Sequence, residues 1–331
     1  MNKLLPKLEL HSHLEGVAPP ILVKKLAERN GIELPNDLIG ADGKFVWSDF
    51  LEFLGAYDKA SSTIATPQDY RDVTYEYLME IAGQGAIYAE TFSSPDHAAQ
   101  AGMDYNQHLE GIVQGIEDAQ RDSGIIGRVI ISCVRHLGAD NAVAVARQMV
   151  ENPHPCVVGF GMGGDEMRFT FKDFAPAFKL ARDHGYAVTA HAGEVGGAEN
   201  VKAAIDHLGV TRIGHGVRVV EDKIIMQQVI DQNIMLEVCP GSNIALGIFP
   251  DYESHSLPAL LKAGVKISLS SDDPPYFDSS VGGEYARAQD FYGFDLKTMH
   301  KINRDTLDAA FCDAETKAAL SKKLDHAESV L

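Results

Sequence analysis

Eight short runs rich in β-branched residues recur along the chain, at 7–12, 86–92, 128–134, 156–160, 186–191, 211–214, 234–238 and 265–270. Between them lie segments with helical spacing. Leu109, Ile112, Val113 and Ile116 follow Asp104, a candidate N-cap, and Val201, Ala204, Ile205 and Leu208 stop at Gly209, a candidate C-cap. Phe174, Phe178 and Ala181 mark a third segment, and Ile224, Ile225 and Val229 a fourth. Strands alternating with helices over a chain of 331 residues predict an α/β fold, a (β/α)8 TIM barrel. A doubly wound open sheet fits less well, because no Gly-rich phosphate turn follows the first strand.

The first and second strands are far apart. The gap holds helical pieces at 20–30, at 48–59 opened by Ser48, and at 68–82. An insertion there lies at the C-terminal mouth of a barrel, so residues 1–331 are expected to form one domain with 18–83 as a helical lid.

Composition removes several classes of partner. The formal charge of −18 disfavours nucleic acid, whose phosphates call for clustered Lys and Arg. No apolar run approaches the roughly 18–20 residues of a membrane span, and no apolar segment follows the charged N-terminus. Cys133, Cys156, Cys239 and Cys312 are scattered without a Cys-x-x-Cys pair, which points to reduced thiols and a cytoplasmic location. A metal site here must use His and carboxylates.

Such residues collect at the predicted strand ends. In "KLELHSHLEG", His11 and His13 sit two apart and so share one face of a strand. "TAHAGE" ends the fifth strand with His191 and carries Glu194 three residues on; "RIGHG" places His215 after the sixth; "ISLSSDDPPYF" places Asp272 and Asp273 after the eighth. In a barrel these ends converge. His11, His13 and His191 can supply imidazoles and Asp272 a carboxylate to one Zn2+ with an open position for water. His215, or Asp272 itself, can hold that water as hydroxide, and a buried Glu194 can carry a proton to a substrate. Each motif alone has a plainer explanation: His-x-His arises by chance, and Asp-Asp-Pro often starts a helix. Their joint placement is what argues for a site. The other histidines, including His97 and His136, read as surface or core residues.

Together with "VVGFGMGGDE", "HAGEVGGAENV" and "EVCPGSN", these motifs make the chain resemble the adenosine/adenine deaminase family, mononuclear zinc purine aminohydrolases, with a look nearest the bacterial adenosine deaminases. The resemblance implies one zinc per chain on His11, His13, His191 and Asp272, with His13 also facing the substrate. It implies that His215 orients and deprotonates the attacking water and that Glu194 protonates N1 of the purine. The Gly164 N–H would meet N3 and Asp273 would hydrogen-bond N7. Hydroxide addition at C6 and loss of ammonia would leave a 6-oxopurine. "WSDFLEFLGAY" resembles a hydrophobic gate helix, with Trp47, Phe50, Leu51 and Leu54 as its apolar face.

One position departs from the pattern. Adenosine deaminases have Asp where this chain has Glu15, at the contact to the ribose 5′-hydroxyl; Glu occurs there in relatives that act on free adenine. The expectation is deamination of adenosine and 2′-deoxyadenosine, with adenine or another 6-aminopurine as the alternative. A binuclear amidohydrolase would need a bridging Lys or carboxylate after the fourth strand, and "VVGFGMGGDE" holds no Lys, although Asp165 and Glu166 are near.

Overall fold

The computed structural model describes residues 5–329. Among these residues, eight strands pair in chain order, each parallel to the next: β1 (Lys7–Glu9), β2 (Ala86–Ser93), β3 (Ile126–Val134), β4 (Val157–Gly163), β5 (Ala187–Ala192), β6 (Arg212–His215), β7 (Met235–Val238) and β8 (Lys266–Leu269). Helices run between them, and the result is a (β/α)8 TIM barrel. Its closure lies beyond β1. Ser12 bridges Asp272 in parallel register and His13 bridges Phe92. The Asp272 N–H donates to the His11 carbonyl at 3.0 Å, and the Phe92 N–H to the Ser12 carbonyl at 2.7 Å. The segment after β1 thus divides its hydrogen bonds between two neighbours. That is why the regular ladder stops at Glu9, three residues short of the expected 12.

Strand β4 is longer than the expected 156–160 and reaches Gly163. Glycine is depleted in strands, so "GFGMGG" reads poorly as one. Here the missing side chains make room for the barrel interior. A Cβ on Gly161 would stand 2.7 Å from a Phe92 ring carbon, and one on Gly163 3.3 Å from the His191 ring.

The outer helices begin and end largely where side chains dictate. Asp104 and Gln107 form a capping box on the helix Tyr105–Ser123, and Gly209 ends Ala198–Leu208 in the left-handed conformation. Phe174 and Phe178 are fully buried, with Phe178 edge-on to Phe160 of β4 at 5.2 Å. Burying each such ring contributes roughly 1.5–3 kcal/mol. One apolar expectation fails: Ile224 is 82% exposed, while Ile225 and Val229 are buried. Position 224 lies in the first turn, where Asp222 caps the helix through the Ile224 and Ile225 N–H groups.

The insertion between β1 and β2 folds as α1 (Pro20–Asn30), α2 (Phe50–Ser61) and α3 (Pro67–Gly83). The cap of α2 is Asp49 rather than Ser48. Its carboxylate accepts from the N–H groups of Leu51 and Glu52, while Ser48 bonds the Glu52 carboxylate. Arg29 of α1 reaches Asp69 and Asp72 of α3 at 2.6 and 2.9 Å, which ties the two helices together.

Candidate functional site

The strand ends bring together the residues that the sequence scatters over 260 positions. His11 and His13 follow β1, His191 lies in β5, His215 closes β6, and Asp272 follows β8. The Nε2 atoms of His11 and His13 each stand 3.1 Å from His191 Nε2. Asp272 Oδ1 is 3.4 Å from His13 Nε2 and 3.8 Å from His11 Nε2. These four residues form a group able to hold a metal ion. His215 and Asp272 both adopt left-handed backbone, with φ of 60° and 64°. Such strain in non-glycine residues persists only where the surroundings enforce it.

Hydrogen bonds set the ring tautomers. His11 Nδ1 lies 2.7 Å from Glu237 Oε2, and His191 Nδ1 lies 2.9 Å from the Met162 carbonyl. Both acceptors require a proton on Nδ1, so both Nε2 atoms present bare lone pairs to one another. At 3.1 Å two lone pairs repel unless a cation lies between them. Burial, and then the neighbouring imidazoles, hold His191 well below the usual histidine range, so a proton is a poor candidate for that cation.

Glu237 escaped the sequence reading, although a lone acid in the apolar run "IMLEV" was a usable signal. It is fully buried and bonds Arg212 Nε at 2.6 Å, while Arg212 Nη1 reaches Glu90 at 2.6 Å. Burial opposes its ionisation, but the Arg212 charge and the His11 hydrogen bond outweigh that and keep Glu237 below the usual carboxylate range. Glu237→Gln is expected to weaken metal binding about 10–100-fold through loss of the charged partner that orients His11. Chelator competition measures this; unchanged affinity would show that Glu237 serves only the barrel interior.

Beside the donor group opens a cavity enclosing ≈ 680 Å³ of space, its solvent-open mouth included. Its lining includes His13, Glu15, Phe92, Gly163, Gly164, His191, Glu194, His215, Asp272 and Asp273. Burial, reinforced by Asp272, pushes the carboxyls of Glu194 and Asp273 well above the usual range. Burial pushes the His215 imidazole down to about 3. Asp272 is also buried, but the His13 hydrogen bond and the His215 and His11 rings override burial and hold it far below the carboxylate range. Among the described residues, Asp273 Oδ1 meets no hydrogen-bond partner. Gly16 makes space for it, since a Cβ there would fall 1.7 Å from that oxygen.

Helix α2 covers the cavity with the expected Phe50 and Leu54, but on a stripe that takes in Phe53 and Tyr57 in place of Leu51. Phe50, Phe53, Leu54 and Tyr57 line it, at i, i+3, i+4 and i+7. Leu51 falls off this stripe and is 66% exposed. Trp47 stands behind, edge-on to Phe53 and Phe277 at 5.9 and 5.8 Å. His97 and His136, read from sequence as surface or core, also line the cavity, and His97 Nε2 meets Asp58 of α2 at 3.3 Å. Among the described residues no Lys or Arg lines it.

The sequence profile of the family described as adenosine deaminase matches residues 6–327. The chain belongs to the adenosine deaminase family. It is an aminohydrolase of that metal-dependent family. A protein of Chelativorans sp. named adenine deaminase is 44% identical over 321 residues, covering 97% of this chain and 98% of the relative. Among solved structures, an adenine deaminase from Arthrobacter aurescens superposes with a TM-score of 0.91 at 30% identity, covering 97% of this chain and 98% of the other. An amidohydrolase from Burkholderia ambifaria with bound Zn superposes with a TM-score of 0.89 at 28% identity, over 99% of this chain and 93% of the other. The expected likeness to bacterial adenosine deaminases is therefore corrected: these family relatives carry the adenine name.

Proposed function

We propose that this chain hydrolyses free adenine to hypoxanthine and ammonia, using one zinc ion held by His11, His13, His191 and Asp272. The reading replaces adenosine with adenine because of Glu15. This carboxylate is 2% exposed, and both its oxygens are occupied by the protein. Oε1 accepts from Ser93 Oγ at 2.6 Å, the Ser94 N–H at 3.1 Å and Tyr70 OH at 3.3 Å, and Oε2 from Tyr57 OH at 3.4 Å. In the adenosine-type pattern this position meets a sugar hydroxyl. Here the longer side chain is held by four protein donors, and the relatives' names support the same substrate. Nucleotides fit still less, since among the described residues no Lys or Arg lines the cavity to take a phosphate.

The donor set fits zinc. Three imidazole nitrogens and a carboxylate oxygen are ligand types that zinc takes, and they stand 3.1, 3.1, 3.4 and 3.8 Å apart here. When bound, zinc supplies a water whose pKa is lowered toward roughly 7. The chain's own groups do the rest. Glu194, kept protonated by burial, gives its proton to N1 and draws electron density from C6. His215, neutral and 3.6 Å from Glu194, orients the attacking water and takes its proton as oxygen adds to C6. It returns that proton to the amine as the C6–N6 bond breaks, while the C6 hydroxyl proton goes back to Glu194. Asp273, protonated, donates to N7, and the Gly164 N–H meets N3. Phe50, Phe53, Leu54 and Phe92 exclude bulk water, which strengthens each of these contacts. In this reading residues 18–83 act as a lid on a single barrel domain. The four free thiols fit a reducing cytoplasm, and among the described residues no helix is long and apolar enough to cross a membrane.

The zinc form is expected to release hypoxanthine and ammonia in equal amounts from adenine, followed by ultraviolet absorbance and product chromatography, and to leave AMP untouched. Absence of hypoxanthine from zinc-loaded protein would overturn the proposal.

A further inference from the structure

Glu166 is buried three residues beyond the end of β4, and its carboxylate gathers five N–H donors. Oε1 accepts from the Gly193 N–H at 2.6 Å and from Asn200 Nδ2 at 2.9 Å. Oε2 accepts from the N–H groups of Glu194, Val195 and Gly196 at 3.1, 2.9 and 2.8 Å. Four consecutive backbone amides thus close around one side chain. The carbonyls of the same segment are held from another direction, with Arg218 Nη1 on Val195 and the Arg218 N–H on Gly193, the latter at 3.0 Å. The loop is moulded sterically as well. Gly193 has φ of 74°, and a Cβ on Gly196 would fall 2.8 Å from Glu166 Oε1. Glu166 does not line the cavity. The residue whose backbone it grips, Glu194, does.

We propose that Glu166 is a positioning residue for Glu194. By templating the backbone from Gly193 to Gly196, it presents the Glu194 carboxyl to the cavity 3.6 Å from His215 Nε2. The proposal rests on the reading of Glu194 as the proton donor. Glutamine is the informative replacement. It keeps one acceptor oxygen and brings an NH2 that meets backbone N–H groups head-on, so either the Oε1 pair or the Oε2 trio loses its acceptor. The loop must then relax, and Glu194 with it.

Steady-state kinetics on adenine for wild type, Glu166→Gln, Glu194→Gln and the double variant test this, with the zinc content of each measured. Glu166→Gln is expected to lower kcat by about 10–100-fold through misplacement of the acid, with KM altered less than about threefold. In the Glu194→Gln background the same substitution is expected to change kcat less than about threefold, because there is no acid left to misplace. Wild-type kcat in Glu166→Gln, or an equal fractional loss in both backgrounds, would overturn the proposal. If Glu166→Gln does not fold, Asn200→Ala removes a single donor and carries the same cycle, with an expected kcat loss of about 3–10-fold that vanishes beside Glu194→Gln. Absence of adenine turnover by the wild-type zinc form would instead defeat the underlying reading.

Discussion

Glu194→Gln is expected to lower kcat for adenine by about 10²–10⁴-fold, the contribution of a positioned general acid, while KM and zinc content stay near wild type. The amide keeps the shape of the side chain and its place beside His215 but has no acidic proton for N1. The structure explains why the parent holds that proton. Burial, followed by the charge of Asp272, raises the Glu194 pKa well above the usual carboxylate value. The active form is the protonated one, so kcat/KM for adenine should fall as pH rises through the raised pKa. That alkaline limb should be absent from the residual activity of the variant. A pH profile of both proteins checks the sign. Undiminished turnover in Glu194→Gln would remove the residue from the chemistry.

Removal of the metal is the second large effect. Dialysis against a chelator should take adenine turnover to background, and zinc should restore it. The physical reason lies in the His11 and His191 nitrogens. Glu237 and the Met162 carbonyl fix their tautomers, so two lone pairs face each other at 3.1 Å. The cation relieves that repulsion, and apo protein should therefore unfold at lower temperature. An ion held at 100 times its dissociation constant contributes about 2.7 kcal/mol to stability. Calorimetry with and without zinc measures the difference. Full activity in metal-free protein would contradict the assigned ligand set.

Much of this architecture is legible in the chain because it depends on periodicity. The β-branched runs and the caps at Asp104 and Gly209 locate most elements to within a few residues. Misplaced boundaries have local causes. The His11–His13 segment divides its hydrogen bonds between β2 and the stretch after β8, and β4 runs through glycines that stand where neighbouring side chains need space. The metal donors are legible because His and Asp recur at strand ends. Their supports are harder to read. Glu237 and Glu166 act through hydrogen bonds to residues far away in the chain, and an acid in sequence does not name its distant partners. The lid illustrates another limit. The spacing marks α2 as amphipathic, but packing against Phe277 and Tyr276 selects the stripe through Phe53 and Tyr57 and leaves Leu51 to solvent.

The choice of substrate rests on Glu15 and its clamp of Ser93, Ser94, Tyr57 and Tyr70. Equimolar adenine and adenosine offered together to the zinc form, with hypoxanthine and inosine quantified early in the reaction, give the ratio of the two kcat/KM values directly. Hypoxanthine is expected to exceed inosine by at least about 10²-fold if the clamped Glu15 disfavours the sugar as proposed. Inosine as the main product would contradict that role of Glu15, and with it the assignment of free adenine as substrate.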